Sequence, residues 1–207
     1  MLLDKPEDYQ KDLDMIHGKN NLNIYAHPVY SSTPPRYFAW QKGNIAMEIW
    51  NTDTALNGGD DVDAAYWDDV LGMGNLIYGV ASDDSHGLGE RACRGWVNVN
   101  AENNVNSILT ALKNGAFYSS CGPEIYDFYV KDGIAVIKCS PVKQIRFQSD
   151  MHNGRRVRAG EGTITRAELD LKDNYDYVRV SITDEKGNLA WTNPIFLDER
   201  KDSHHIG

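Results

Sequence analysis

Three short apolar runs near the start of the chain each end in polar side chains, and this repeated feature constrains the fold more than any other. The runs are 22–26, 45–50 and Tyr78–Ser82, and a fourth, Trp96–Val99, follows them. Amphipathic segments typical of helices accompany them at 6–18, 60–72 and 102–114. Strands that alternate with helices usually pair in parallel. The sequence therefore predicts an α/β unit over residues 1–120.

Side chains of the kind that bind metals follow two of these runs. His27 follows the first run, and Asp84 and His86 follow the third. Asp84 and His86 are two residues apart, so an extended backbone would point both to one side. A lone Asp-x-His is more often a polar loop. The joint pattern, at the ends of parallel strands where α/β sites lie, predicts that His27, Asp84 and His86 bind zinc or manganese.

Other polar residues near these positions are candidates for the same site. Glu48 is embedded in the second apolar run, where a carboxylate requires a polar partner or a metal. Asn51 lies just beyond that run, and Asp83 precedes Asp84. We interpret these three residues as near-site candidates, and the pattern assigns no catalytic residue.

Residues 121–207 show a different rhythm of short alternating runs joined by turn sequences. Six candidate strands are 125–130, 134–139, 144–149, 163–169, Tyr177–Thr183 and 190–195. They predict a small all-β sandwich that ends in a polar tail. Arg155, Arg156 and Arg158 form a basic cluster within it. Such a cluster is most often a solvated strand face, and a ligand site is the alternative.

Composition limits the classes of partner. The formal net charge of −9 is against a nucleic-acid-binding surface, which needs clustered lysine and arginine. It is compatible with a phosphorylated small-molecule substrate, because a bound metal can dominate the local field. No apolar run is long enough for a membrane span, and the acidic N-terminal sequence has no signal core. We therefore expect no membrane partner and a cytoplasmic location.

The order of four motifs resembles the C-terminal half of a PHP-superfamily protein. The motifs are A-H-P (26–28), E-I-W-N (48–51), S-D-D-S-H (82–86) and G-A-F-Y-S-S-C-G-P (115–123). The resemblance implies the C-terminal part of a distorted (β/α)7 barrel followed by a β-sandwich. It also implies two or three zinc, manganese or iron ions and the hydrolysis of phosphoesters or related bonds.

Residue roles follow from the same resemblance. It identifies His27 with the family's late histidine ligand, Asp84 with the aspartate of the first metal, and His86 with the histidine of the third. It places Glu48 and Asn51 beside the site. Arg91 lies where a positive group could reach a substrate oxyanion, and an exposed loop arginine is an equal alternative.

The family's first histidine pair is absent, since no H-x-H occurs before His27. We therefore expect a fragment of a metal-dependent hydrolase with an incomplete metal site, which self-associates or pairs with a missing N-terminal half. The alternative is a non-catalytic remnant that serves as a binding or interaction module. The sequence does not decide whether this chain is an enzyme by itself.

Overall fold

The computed structural model describes residues 6–17, 21–57, 64–87, 89, 92–150, 154–171 and 175–197, with side chains from residue 9 onward. Among these residues the helices are α1 (Pro6–His17), α2 (Thr52–Leu56), α3 (Ala64–Gly72) and α4 (Val105–Lys113). The strands are β1 (Asn23–Tyr25), β2 (Asn44–Asn51), β3 (Tyr78–Ser82), β4 (Trp96–Val99), β5 (Phe117–Ser120), β6 (Ile125–Lys131), β7 (Ile134–Val142), β8 (Gln144–Gln148), β9 (Gly154–Arg158), β10 (Ile164–Asp170), β11 (Tyr177–Thr183), β12 (Leu189–Thr192) and β13 (Ile195–Phe196).

The predicted fold class, part of a (β/α)7 barrel followed by a sandwich, is wrong. Strand accounts for 41% and helix for 20% of the structure, which is a small β-rich fold with three sheets. A barrel of this type needs a helix after each parallel strand. The described strands do not alternate with helices in that way.

Among the described residues, parallel pairing is confined to β1, β2 and β3, in that order. Met47 and Ile49 of β2 are fully buried, and Trp67 of α3 packs in the same cluster. Gly79 of β3 makes this packing possible, because a Cβ there would lie 2.8 Å from both Ile49 and Trp67. A glycine inside an apolar strand often marks such a close approach.

The other strands form two antiparallel sheets that share one core. The larger sheet has the order β4-β5-β12-β11-β8-β9, with β13 on β11, and the smaller has the order β10-β7-β6. Ile137 of the smaller sheet and Phe147 and Val180 of the larger one are buried together. The larger sheet contains β4 and β5, which end at or before Ser120, as well as strands that follow residue 120.

The barrel prediction fails at β4. The described residues between β3 and β4 form bends and turns without a helix, so no helical crossover returns the chain to the parallel sheet. Instead β4 pairs antiparallel with β5, with Trp96 opposite Ser120 and Val99 opposite Phe117. The helix between them, α4, therefore does not cover a parallel sheet. Accordingly, Val105 and Leu109, which lie in the amphipathic segment 102–114, are 71% and 42% exposed.

Side chains of the larger sheet satisfy the outer edge of β3. Ser119 Oγ accepts a hydrogen bond from the backbone N–H of Ala81 (3.0 Å) and donates one to the carbonyl of Gly79 (2.8 Å). Asn193 Oδ1 accepts from the N–H of Gly79 (3.1 Å), and Asn193 Nδ2 donates to the carbonyl of Phe117 (2.9 Å). We call this set of contacts the Ser119–Asn193 seam. It joins the parallel sheet to the antiparallel one without a shared strand ladder.

A buried ion pair provides a second connection. Arg179 of β11 is 0% exposed and donates to both carboxylate oxygens of Asp68 in α3, at 2.7 and 2.6 Å. Its guanidinium also stacks over the Trp67 ring, 4.5 Å from the centroid. Tyr177 and Gln148 donate to the same carboxylate at 3.1 and 3.3 Å. Asp68 is thus saturated by donors from the larger sheet.

Among the described residues, every helix is too short or too polar to cross a membrane.

Candidate functional site

The carboxyl ends of β1, β2 and β3 meet at one edge of the parallel sheet, and Glu48 lies at their centre. Its side chain is 5% exposed. Oε2 accepts from the backbone N–H of His27 (2.8 Å) and from Asn51 Nδ2 (3.2 Å). Oε1 accepts from the hydroxyl of Ser82. Among the described residues no cation contacts Glu48, so three neutral donors from three strand ends hold this carboxylate.

Asn51 connects Glu48 to the predicted metal ligand Asp84. Asn51 Nδ2 donates to Oδ2 of Asp84 at 3.1 Å as well as to Glu48. Its Oδ1 accepts from the N–H of Thr54 (2.9 Å) and caps the first turn of α2. Because both ends of the Asn51 amide make hydrogen bonds, its orientation is fixed. The Asn51 side chain therefore lies between the carboxylates of Glu48 and Asp84 and bridges them.

His27 and Asp84 share an unusual backbone conformation. Each lies two residues beyond its strand, and each has a positive φ, +26° for His27 and +47° for Asp84. Non-glycine residues rarely adopt such angles, and those that do cluster at functional sites. The strain falls on two of the three residues that the sequence predicts as metal ligands.

The imidazoles of the two predicted histidine ligands differ in how far they are fixed. His27 Nδ1 lies 2.9 Å from the hydroxyl of Ser31. The His27 and Tyr30 rings are nearly perpendicular, with their centroids 5.4 Å apart. The His86 side chain is 81% exposed, with Nε2 4.0 Å from Oδ1 of Asp84. Asp84 and His86 therefore lie side by side. The contact that joins His27 to the cluster is made by its backbone N–H.

Asp83 serves a different purpose from its neighbour. Its carboxylate accepts from three consecutive backbone N–H groups, those of Cys93 (2.5 Å), Arg94 (2.9 Å) and Gly95 (2.7 Å). Partial burial works to raise the pKa of this carboxyl, but these three donors and the Thr52 side chain outweigh it, and the pKa lies below its ordinary value. Asp83 therefore anchors the loop that leads into β4.

The structure brings Glu48, Asn51, Asp84 and His86 together and adds Ser82, which sequence reasoning missed. Its signal was a hydroxyl at the last position of β3. Arg91 lies outside the described residues. Within the described ranges no three His, Cys, Asp or Glu side chains are arranged to hold a metal ion. The predicted three-residue metal site therefore stays a prediction.

No family model, curated protein or solved structure matches this chain. The resemblance to the PHP superfamily accordingly depends on the sequence motifs.

Proposed function

We propose that the strand-end cluster is part of a divalent-metal site in a hydrolase that acts on phosphoesters. This cluster is the set of contacting residues His27, Glu48, Asn51, Ser82, Asp84 and His86. The observation that carries this proposal is the shared positive φ of His27 and Asp84 at one sheet edge. Non-glycine residues with positive φ cluster at functional sites, and these two lie at the same sheet edge, whereas Asp132 has a positive φ in an isolated exposed turn. Here the strained positions hold an imidazole and a carboxylate.

In this proposal Asp84 and His86 bind the ion directly. His27, the third ligand that the sequence predicts, stays a prediction, since its contact with the cluster is made by the backbone N–H. Oδ1 of Asp84 and Nε2 of His86 are 4.0 Å apart, and two ligands on one ion, each bonded at about 2 Å, lie about 3–4 Å apart. Glu48 and Asn51 position Asp84, since Asn51 holds its other oxygen. A bound divalent ion would supply a water of lowered pKa and a positive charge near the developing negative charge.

Two protein ligands make a weak site. Catalytic zinc sites ordinarily use three, with the fourth position left for water. We therefore infer that further ligands come from protein outside the described residues, such as a complementary chain. By itself this chain should hold metal weakly and turn over no phosphoester.

Manganese titration followed by paramagnetic broadening of amide NMR signals tests the site. We expect broadening at residues 26, 27, 51 and 84–86, and its loss in Asp84→Asn and His86→Gln. Asp132→Asn is the matched control, because Asp132 also has a positive φ (+51°) and lies in an exposed turn. Equal broadening in the wild-type and Asp84→Asn proteins would refute the proposal. Turnover of p-nitrophenyl phosphate by the purified chain would refute only the inference that its metal site needs ligands from another chain.

A non-catalytic binding or interaction module is the second candidate, and the saturation of Glu48 favours it. Its oxygens already accept three hydrogen bonds, so the network is closed without a metal. For this candidate we expect no localised broadening by manganese. Asp84→Asn would then change only the stability of the strand-end loops.

A further inference from the structure

A pocket of about 340 Å³ lies at the far end of the larger sheet, away from the strand-end cluster in the fold. The polar residues that line it are Asp68, Gln148 and Ser149, together with Arg146 of β8 and Arg155 and Arg156 of β9. The chain has 30 acidic and 21 basic residues, so a local excess of arginine is unexpected. The pocket belongs to no part of the proposed metal site.

Strand register places two arginines directly opposite each other beside this pocket. Arg146 of β8 pairs with Arg156 of β9 in the antiparallel ladder. Side chains at directly opposed positions have Cβ atoms about 5 Å apart, and like charges there are destabilising. Both arginines are exposed, and neither has an ion-pair or hydrogen-bond partner among the described residues.

A glycine allows this register. Gly154 pairs with Gln148, and its φ is +150°. A Cβ at this position would lie 2.5 Å from the carbonyl oxygen of Phe147, so a side chain would push the strands apart. The close approach at Gly154 brings Arg156 into line with Arg146 two residues later.

The acidic group that lines the pocket is already neutralised. Asp68 lines the pocket, but Arg179 donates hydrogen bonds to both of its carboxylate oxygens. Tyr177 and Gln148 donate to the same carboxylate. Asp68 is therefore not a partner for Arg146 or Arg156. Their charge is uncompensated within the described part of the chain.

We propose that this pocket binds a small-molecule oxyanion, a phosphate or carboxylate group, between the guanidinium groups of Arg146 and Arg156. Guanidinium forks match the geometry of such oxyanions and donate paired, charge-assisted hydrogen bonds. An anion lodged there removes the repulsion between the two arginines. This oxyanion site is separate from the metal site proposed above, and anion binding there does not depend on a metal.

Protection of the sheet edge is the competing explanation. β9 is the last strand of the larger sheet, and charged residues on edge strands prevent association with other sheets. That purpose needs only charge, and lysine serves it as well as arginine. Oxyanion binding needs the guanidinium fork, so substitution by lysine separates the two explanations.

Amide NMR titrations with inorganic phosphate and, in parallel, acetate at constant ionic strength test the proposal. We expect saturable shifts for residues 146–149 and 154–156 with at least one of the two anions. Arg146→Gln and Arg156→Gln should each weaken binding at least about tenfold, which corresponds to about 1.4 kcal/mol, because each removes charge-assisted hydrogen bonds to the anion. Arg156→Lys should also weaken it, by about threefold or more, because an ammonium lacks the fork.

Arg36→Gln is the matched control, since it makes the same change in net charge at an exposed position outside the pocket. Its affinity should equal that of the wild type. The dispersion of each variant's spectrum reports whether it is folded. The absence of saturable shifts with both anions, equal weakening by Arg36→Gln, or wild-type affinity in Arg156→Lys would overturn the proposal.

Discussion

At the residue scale, the backbone at Asp84 is held in a conformation that favours glycine. Its φ of +47° should cost a side chain about 1 kcal/mol relative to glycine. Asp84→Gly and Asp84→Ala both lose the hydrogen bond from Asn51, so their difference isolates the backbone. We expect the glycine variant to be more stable by about 1 kcal/mol in urea unfolding. Equal stability of the two variants would show that the loop relaxes.

The thiol of Cys139 should make stability depend on alkaline pH. Cys139 is 1% exposed, and burial raises its pKa to about 11. The unfolded thiol has a pKa of about 8.5, so the folded state favours the protonated form. That contribution is complete below about pH 8.5 and is lost as the pH rises through about 11. It amounts to about 3 kcal/mol at most.

The free energy of unfolding of Cys139→Ala should therefore fall less than that of the wild-type protein between about pH 8 and pH 11. Cys93→Ala, at an exposed thiol, is the control and should keep the wild-type slope. Parallel pH profiles for Cys139→Ala and the wild type would contradict this expectation.

The buried pair of Asp68 and Arg179 should make one carboxylate of α3 far more important than its neighbour. Asp68→Ala leaves the fully buried guanidinium of Arg179 without a counter-charge, which should cost about 3 kcal/mol. Asp69 follows on the same helix and is exposed. Asp69→Ala should change the free energy of unfolding by about 0.5 kcal/mol or less. Similar losses in the two variants would mean that Arg179 finds another partner.

At the scale of elements, α4 tests the difference between apolar pattern and actual packing. Its sequence places Val105 and Leu109 on an apolar stripe, yet both are exposed, whereas Ala111 is buried. Leu109→Gln should change the free energy of unfolding by about 0.5 kcal/mol or less. Ala111→Leu should cost about 1–3 kcal/mol through overpacking. Thermal unfolding of both variants checks the assignment, and the reverse order would contradict it.

The bounds of most strands could be predicted, because apolar runs and turn residues are local signals. The predicted bounds of β3, β4 and β11 are confirmed to the residue. β5 and β9 were missed, and the arginine-rich sequence of β9 carries no apolar alternation. Strand partners could not be predicted in the same way. Whether β4 continues a parallel sheet or turns back onto β5 depends on contacts between residues that are far apart in sequence.

The strand-end cluster could be predicted in part for the same reason. Parallel strands end at one edge, so His27, Glu48 and Asp84 were expected near each other. The positive φ angles of His27 and Asp84 and the bridge made by Asn51 depend on the three-dimensional course of the loops. The sequence pattern could not indicate that Asp83 would turn away to hold the backbone at residues 93–95.

At the scale of the whole molecule, the Ser119–Asn193 seam joins the parallel and antiparallel sheets. Ser119→Ala leaves the buried N–H of Ala81 and one acceptor of Gly79 without their partner, which should cost about 1–3 kcal/mol. Hydrogen exchange at the Ala81 amide should accelerate. Ser120→Ala is the matched control, because the hydrogen bonds of the Ser120 hydroxyl to described residues stay within its own turn, at Gly122 and Pro123. Acceleration by both variants alike would show that the seam is not specific.

The chemistry of that seam also restricts how the sequence can drift. At position 119 a single side-chain atom must both accept one hydrogen bond and donate another. A hydroxyl does this, whereas a methyl group does neither and an ammonium only donates. Descendants of this chain that keep the junction should therefore draw position 119 from serine and threonine. A change outside that pair should appear only with a compensating change at Gly79, Ala81 or Asn193.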